Sequence, residues 1–435
     1  MMDKHLIELR IPDRFRAINS ANISIDGITV VSGINGCGKS TISKLLYQTY
    51  KYSVNYERIL IEEINNNLQP YYDVLNHLLS QMQLLRRQSV LRGIRRWRRI
   101  SNFDDTTDYF NELSIICQNI VSLEEDMNSR GMQLMSDRLW HILWSALGSE
   151  EGDMDLKSNL EKLQSQMKKI VNKWIDKSQA RPSSILYNKL KDSFHCDFPN
   201  TIEICEFGDS LIGPNSKSVA LPHYIQRAIY IDTPMMLGLD GFDFPENWDD
   251  LNEELKKPAI ENYEGIIKQT IRDEILHGEA EYDEDTLDDA ILFKRDDGKV
   301  FDLLDCATGL KTFSIIQLLL KNGLLKKDTL LIVDEPEAHL HPQWIVEYAR
   351  LILLLHKELG VKFFIASHST DMVGALKEIA PIVDVSDLNF YVAEEASDLC
   401  FNYRALGDDV EPIFASFNKS YEKLDYYVKH DKDDE

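Results

Sequence analysis

The sequence predicts an α/β fold, a mostly parallel sheet with some antiparallel strands, interrupted by an α-helical insertion. Three observations predict it. Short β-rich apolar runs at Ile28–Val31, Ala228–Ile231, Leu330–Val333 and Phe363–Ala366 read as buried strands, and helical patterns at Thr312–Leu320 and Trp344–Leu359 separate the later ones. Ile28–Val31 runs straight into a glycine-rich loop that opens a helix at Ser40. Between Tyr56 and Gln179 the strand signals stop, and the chain becomes rich in Leu, Gln, Glu and Arg with Pro70 as its one proline.

The elements follow in order. His5–Ile11 alternates apolar and polar residues, as a half-buried strand does. Asn22–Ile25 reads as a second strand, and Asp26-Gly27 as a hairpin turn. Inside the insertion, Leu113–Ile120, Trp140–Leu147 and Leu160–Trp174 carry helix-length apolar patterns. Strand signals return from about Ser184, and Ile291–Leu303 reads as a hairpin turning at Asp297-Gly298. The expected organisation is a split α/β head over residues 1–54 and 200–380, a helical insertion over 55–199, and C-terminal strands, a helix and an acidic tail over 381–435.

Composition narrows the function classes. The 435 residues are 43% apolar and 28% charged, which is ordinary for a globular chain. There are 48 Lys and Arg against 72 Asp and Glu, a formal net charge of −24. Such a surface repels phosphate backbones and anionic lipid, which argues against a protein that coats DNA with its whole surface. The six cysteines form no CxxC pair, and pairing or metal binding by Cys196, Cys205 and His195 is the minor reading. No signal peptide is read, so a reduced cytoplasm is expected. No apolar run reaches membrane-spanning length. The stretch Asp273–Asp289 holds nine acids and no Lys or Arg, and reads as a solvated helix or loop.

The strongest motif is Gly33-Ile34-Asn35-Gly36-Cys37-Gly38-Lys39-Ser40, a full GxxxxGK[ST] phosphate loop. Its glycines let backbone N–H groups converge on phosphate oxygens, and the helix that follows adds positive potential. Asn35, Gly36, Cys37, Gly38, Lys39, Ser40 and Thr41 are the candidate phosphate-binding residues. Lys39 reaches the β and γ phosphates in this reading, and Ser40 ligates Mg2+. Leu330-Leu331-Ile332-Val333-Asp334-Glu335 brings two acids to the end of a strand, where ligands of open α/β sheets sit. Asp334 is the second Mg2+ residue, and Glu335 the general base for the attacking water. Ala307-Thr308-Gly309-Leu310-Lys311 opens a helix, where Thr308, Gly309 and Lys311 can donate to phosphate; a plain helix cap is the alternative. His368 follows the Phe363–Ala366 strand and reads as a γ-phosphate sensor.

The order of these four motifs resembles the ABC-type ATPases, in the RecF, SMC and OLD-like (AAA_21-like) branch. Gly33–Ser40 looks like Walker A, Leu330–Glu335 like Walker B, and Asp334–Pro342 like the Walker B and D-loop segment of that branch. His368 matches the switch histidine, while Ala307–Lys311 stands where the signature would be and shares only its glycine. The resemblance covers about residues 1–54 and 200–380. It implies head-to-head homodimers or higher homo-oligomers with ATP and Mg2+ held between the heads. It assigns no Gln-loop residue, and Phe15 is its one guess for an adenine-stacking aromatic.

More narrowly, Ala307–Leu320, Asp334–Leu355, Phe363–Val373 and Pro412–Asn418 are similar to the PtuA-type ATPases of Septu antiphage systems, also found with some retrons. That resemblance implies an HNH nuclease partner supplied in trans. A PARIS-type ATPase with a Toprim-like effector, and a DNA-repair or chromosome-maintenance ATPase, are the alternatives. Only 67 residues follow His368, too few for the C-terminal Toprim domain of OLD nucleases, so an ATPase with no nuclease centre of its own is expected. Arg86–Arg99 holds seven arginines and no acid. On a helix Arg92, Arg95, Arg96 and Arg99 share one face, which reads either as nucleic-acid contact or as pairing within the chain.

Overall fold

The computed structural model describes residues 5–85, 98–129, 156–233, 237, 246–260, 265–283, 290–397, 399–407, 409–417 and 427. It divides into two compact units, Met1–Val54 with Ser183–Glu435, and Asn55–Pro182. The strands of the larger unit are β1 (Ile7–Ile11), β2 (Ile18–Ile25), β3 (Ile28–Ser32), β4 (Glu203–Glu206), β5 (Asp209–Ile212), β6 (Arg227–Ile231), β7 (Gly278–Asp283), β8 (Ala290–Arg295), β9 (Val300–Asp302), β10 (Thr329–Asp334), β11 (Lys362–Ser367), β12 (Leu388–Ser397) and β13 (Cys400–Ala405). The helices of the chain are α1 (Lys39–Val54), α2 (Tyr56–Leu85), α3 (Thr106–Ser129), α4 (Leu156–Ala180), α5 (Ser183–Phe194), α6 (Glu246–Leu255), α7 (Ile266–Gln269), α8 (Thr308–Lys321), α9 (Pro342–Leu359) and α10 (Thr370–Ile379). A π-helical turn, Thr270–Leu276, continues α7.

Ten strands form one sheet in the order β5-β4-β1-β2-β13-β12-β3-β11-β10-β6. Five neighbours, β12, β3, β11, β10 and β6, run parallel. The β1–β2, β1–β4, β4–β5 and β12–β13 pairs are antiparallel. The sheet is therefore mixed α/β, as the strand and helix patterns predict. β3 and β10 are buried at every position, which suits their β-branched and aliphatic residues to the covered middle of a parallel sheet. Below them α8 and α9 contribute Phe313, Leu319, Tyr348 and Leu353 to the core. A second sheet, β7-β8-β9, is antiparallel and contains the expected hairpin at Asp297-Gly298.

Several expectations need correction. Asp26-Gly27 does not close a hairpin, because β12 and β13 lie between β2 and β3; Ile28 N donates instead to Asp387 O. Those two strands also make part of 381–435 integral to the head sheet. The insertion ends at Pro182 rather than 199. Ser183–Phe194 is helix, not strand, since Leu186, Leu190 and Phe194 recur at helical spacing on a buried face. Phe194 packs edge-on against Phe15 at 5.5 Å, and Ser193 hydrogen bonds Tyr52 at 2.7 Å. The acidic stretch is not simply solvated. Its first half forms the end of the π-helical turn and β7; Asp273 pairs with Arg272 of the same turn, and Glu274, Glu279 and Glu281 pair with Arg350, Lys321 and Lys294 from other elements. Residues 284–289 lie outside the described residues.

The smaller unit is helical. Leu68, Leu75 and Leu78 of α2 meet Leu113 and Ile120 of α3 and Leu160, Leu163, Met167 and Val171 of α4 in a separate core. Buried Asn65 ties this core to the chain, accepting from Ile100 N at 3.0 Å and Tyr72 OH at 2.8 Å and donating to Ile100 O. The expected helix at Trp140–Leu147 lies outside the described residues, as do residues 86–97 of the arginine run. Arg98 bonds Glu112 at 2.8 Å, and Arg99 bonds Gln69 at 2.7 Å. All six cysteines are free thiols. No helix among the described residues is long and apolar enough to cross a membrane.

Candidate functional site

The sheet order builds the site. β3, β11 and β10 are adjacent and parallel, so their C-terminal ends open on one edge. Ala366 stands level with both Val31 and Asp334, which fixes the three strand ends in register. The phosphate loop leaves β3, the acidic pair leaves β10, and His368 leaves the strand between them.

The loop is shaped for close approach. Gly36 and Gly38 have φ of 83° and 101°, and a Cβ on Gly38 would lie 2.7 Å from Ile18 Cγ1. Cys37 is buried, and the Tyr403 hydroxyl from β13 donates to its carbonyl at 2.9 Å. Burial pushes the Tyr403 phenol well up, so it stays a donor. Asn35, Gly36 and Ser40 are exposed, and Thr41 is half-buried. Lys39 is buried, and its Nζ donates to Gly33 O at 2.9 Å and Ile34 O at 3.2 Å. The ammonium is therefore held by neutral carbonyls that anionic phosphate oxygens outcompete.

Asp334 is buried at the end of β10. Its Oδ2 accepts from the Tyr230 hydroxyl at 3.0 Å, and its Oδ1 is buried with no hydrogen-bond partner. Burial raises the carboxyl pKa, offset in part by the Ser40 and Tyr230 hydroxyls and the Lys39 charge. An unpartnered buried carboxylate oxygen beside a serine hydroxyl is an oxygen donor set that suits Mg2+. Ser40 and Asp334 thus fit the ion assigned to them.

Glu335 leaves the strand with φ of 52°, a left-handed conformation that costs a non-glycine residue roughly 1–3 kcal/mol. Its N–H donates to Ala366 O at 2.7 Å, and its carbonyl accepts from Ala338 N at 2.9 Å, which hold it there. His368 Nδ1 lies 3.5 Å from Glu335 Oε1 and 3.0 Å from Glu337 Oε1. The Glu337 hydrogen bond and charge raise the imidazole pKa. Sequence reasoning assigned no role to Glu337, Tyr230 or Tyr403. The acid of Asp334-Glu335-Pro336-Glu337 was visible as a residue, but only the folded register shows what it faces.

The remaining expected donors have contacts of their own. Gly309 is buried against the α9 start, where a Cβ would lie 2.6 Å from the Trp344 ring. Lys311 Nζ donates to Leu304 O at 2.7 Å, and the Thr308 carbonyl accepts from the Thr312 hydroxyl at 3.1 Å. Phe15 is buried between Phe194 and Phe198, so it offers no open face to a base.

Residues 120–372 match the family model AAA_21, described as "AAA domain, putative AbiEii toxin, Type IV TA system". The match spans more than half of the chain. The chain belongs to this family of AAA-domain ATPases. No curated protein matches it. Among solved structures it is similar to an Smc head with an extended coiled coil from Pyrococcus furiosus, crystallised bound to the C-terminal domain of ScpA. That likeness has 13% identity, 97% of this chain and 98% of the other covered, and a TM-score of 0.33. It is also similar to an SMC head from Thermotoga maritima, at 13% identity, 39% and 57% coverage, and a TM-score of 0.25. Likeness at these scores carries no functional weight.

Proposed function

We propose that this chain is the ATP-binding and ATP-hydrolysing subunit of an antiphage defence complex, and that ATP joins two heads and thereby restrains a nuclease supplied in trans. The observation that carries the ATPase part is the convergence of Lys39 and Ser40, Asp334 and Glu335, and His368 at the ends of three adjacent parallel strands. The defence part is supported by the AbiEii-type family description and by the Septu-like segments around Ala307–Leu320 and Asp334–Leu355.

The residues divide the work. Lys39 exchanges its carbonyl partners for phosphate oxygens when nucleotide enters. Ser40 and Asp334 would hold Mg2+, which when bound neutralises charge on the β and γ phosphates. Glu335, half-buried and fixed by its backbone bonds, accepts the proton of the attacking water. His368 senses the γ-phosphate. Thr308, Gly309 and Lys311 serve the nucleotide of the opposing head, as the position of this segment in the resembled family implies.

The test uses wild type, Lys39→Ala and Glu335→Gln. Glu335→Gln should bind ATP, turn over at least about 100-fold more slowly, and sediment as a larger species with ATP than without it. Lys39→Ala should lose ATP binding and that size change. The reading requires an HNH nuclease gene beside the one for this chain, and co-expression with that nuclease should cap its activity in the Glu335→Gln background. Equal sedimentation with and without ATP refutes the clamp, and unregulated nuclease refutes the restraint.

A further inference from the structure

We propose that Glu337 is a positioning residue of the hydrolytic site, which fixes His368 so that Nδ1 faces the two carboxylates and Nε2 is left to meet the nucleotide. This rests on the ATPase reading above.

Glu337 is a buried carboxylate, and no Lys or Arg pairs with it among the described residues. Its partners all come from the end of β11. One oxygen, Oε1, accepts from the Ser367 hydroxyl at 2.9 Å and from His368 N at 2.7 Å, and His368 Nδ1 lies 3.0 Å away. The other oxygen, Oε2, is buried with no partner. Burying a charge is expensive unless strong donors compensate it, and here the compensation is spent on a single strand end. Simple filling of the space would need no charge. The bonds continue outward: Ser369 N donates to Ser367 Oγ at 3.1 Å, and Ser369 Oγ caps α10 at Met372 N. The end of β11 is therefore anchored on both sides of His368.

Two consequences follow for the imidazole. Its main-chain N–H donates to Glu337 Oε1, and ring Nδ1 lies 3.0 Å from the same oxygen without an aligned hydrogen bond, so Glu337 holds the backbone at His368 directly and draws the Nδ1 side of the ring by charge. With carboxylates on the Nδ1 side, the ring is kept protonated there, and the raised imidazole pKa accords with that. Nε2 then faces the γ-phosphate as a donor. Glu337 touches no substrate in this arrangement and acts through His368.

The experiment is a double-mutant cycle on the full chain, comparing wild type, Glu337→Gln, His368→Ala and the double variant. Steady-state ATP hydrolysis and ATP affinity are both measured. Glu337→Gln should lower kcat roughly 10- to 100-fold with KM changed less than about threefold. The double variant should be no slower than His368→Ala within about twofold, because the two changes remove one device. A Glu337→Gln enzyme with wild-type kcat, or a double variant whose losses multiply, overturns the proposal. Glu337→Asp keeps the charge and withdraws the carboxylate by one methylene, and the same cycle with it decides the matter if Glu337→Gln does not fold. A wild-type chain that hydrolyses no ATP would instead sink the reading beneath and the proposal with it.

Discussion

Tyr230→Phe removes one oxygen atom and tests whether Asp334 is held as a charge waiting for a cation. The Tyr230 hydroxyl is the 3.0 Å partner of Oδ2, while Oδ1 has none. A hydrogen bond to a charged group contributes about 1.5–3 kcal/mol, and the shape of the site is unchanged by the loss of the hydroxyl. The ligand-free protein should therefore lose about 2 kcal/mol near pH 7.5, a fall of roughly 3 °C in the transition of a unit of this size. The sign of the pH dependence follows from the direction of the Asp334 shift. Burial raises its folded pKa above the usual 3.8, so the folded state binds more protons than the unfolded one between those two values, and stability falls as pH rises through that window. Losing the Tyr230 donor raises the folded pKa further. The deficit of the variant should thus be largest above the window and vanish below it. Saturating Mg2+ and ATP should recover more stability for the variant than for wild type, because the cation satisfies the same oxygens. Thermal melts from pH 4 to 8, with and without Mg-ATP, measure this. A deficit that is the same at every pH, or that nucleotide leaves unchanged, would refute the reasoning.

Three further outcomes are expected. Glu206 is buried, and its carboxylate accepts from His223 N, Tyr224 N and Ile225 N; Glu206→Ala should cost roughly 3–5 kcal/mol in chemical denaturation and Glu206→Gln clearly less. Gly309→Ala should destabilise by about 1–3 kcal/mol, because its Cβ meets the Trp344 ring at 2.6 Å, and Gly309→Ala combined with Trp344→Leu should regain part of that loss in the same assay. Replacing Arg92, Arg95, Arg96 and Arg99 by Glu separates the two readings of this run: nucleic-acid contact requires weaker duplex DNA binding with a flatter slope of log affinity against log salt, and pairing within the chain leaves affinity and slope unchanged.

Local chemistry made part of this site legible in the sequence. β3, β10 and β11 are buried along nearly their whole length, so their apolar runs announce them, and the phosphate loop follows its strand without interruption. Asp334 and Glu335 end a strand in plain view. What stayed hidden depends on partners distant in sequence. β12 and β13 enter the sheet between β2 and β3, and no turn chemistry at Asp26-Gly27 can report an intrusion from more than 350 residues away. Ser183–Phe194 begins with Ile185-Leu186-Tyr187, which looks like a strand until Leu190 and Phe194 extend the helical period. Tyr230, Tyr403 and Glu337 read as a strand tyrosine, another strand tyrosine and a turn acid. Each gains its role from a group far away in sequence: Asp334 at the end of the neighbouring strand for Tyr230, the Cys37 carbonyl in the phosphate loop for Tyr403, and the end of β11 for Glu337.

The same distinction bears on the charge. The formal −24 is not spread evenly, since Asn55–Pro182 carries 17 Lys and Arg against 18 Asp and Glu, and nearly all of the excess lies in the ATPase unit. That unit must still bind a polyanion. In the proposed function the Lys39 ammonium, the loop amides and the start of α1 would do so with a field confined to a few ångströms, where short-range donors outweigh a distant negative surface screened by salt. The helical unit carries almost no net charge of its own, so the Arg86–Arg99 run within it is where the DNA-binding test above is aimed.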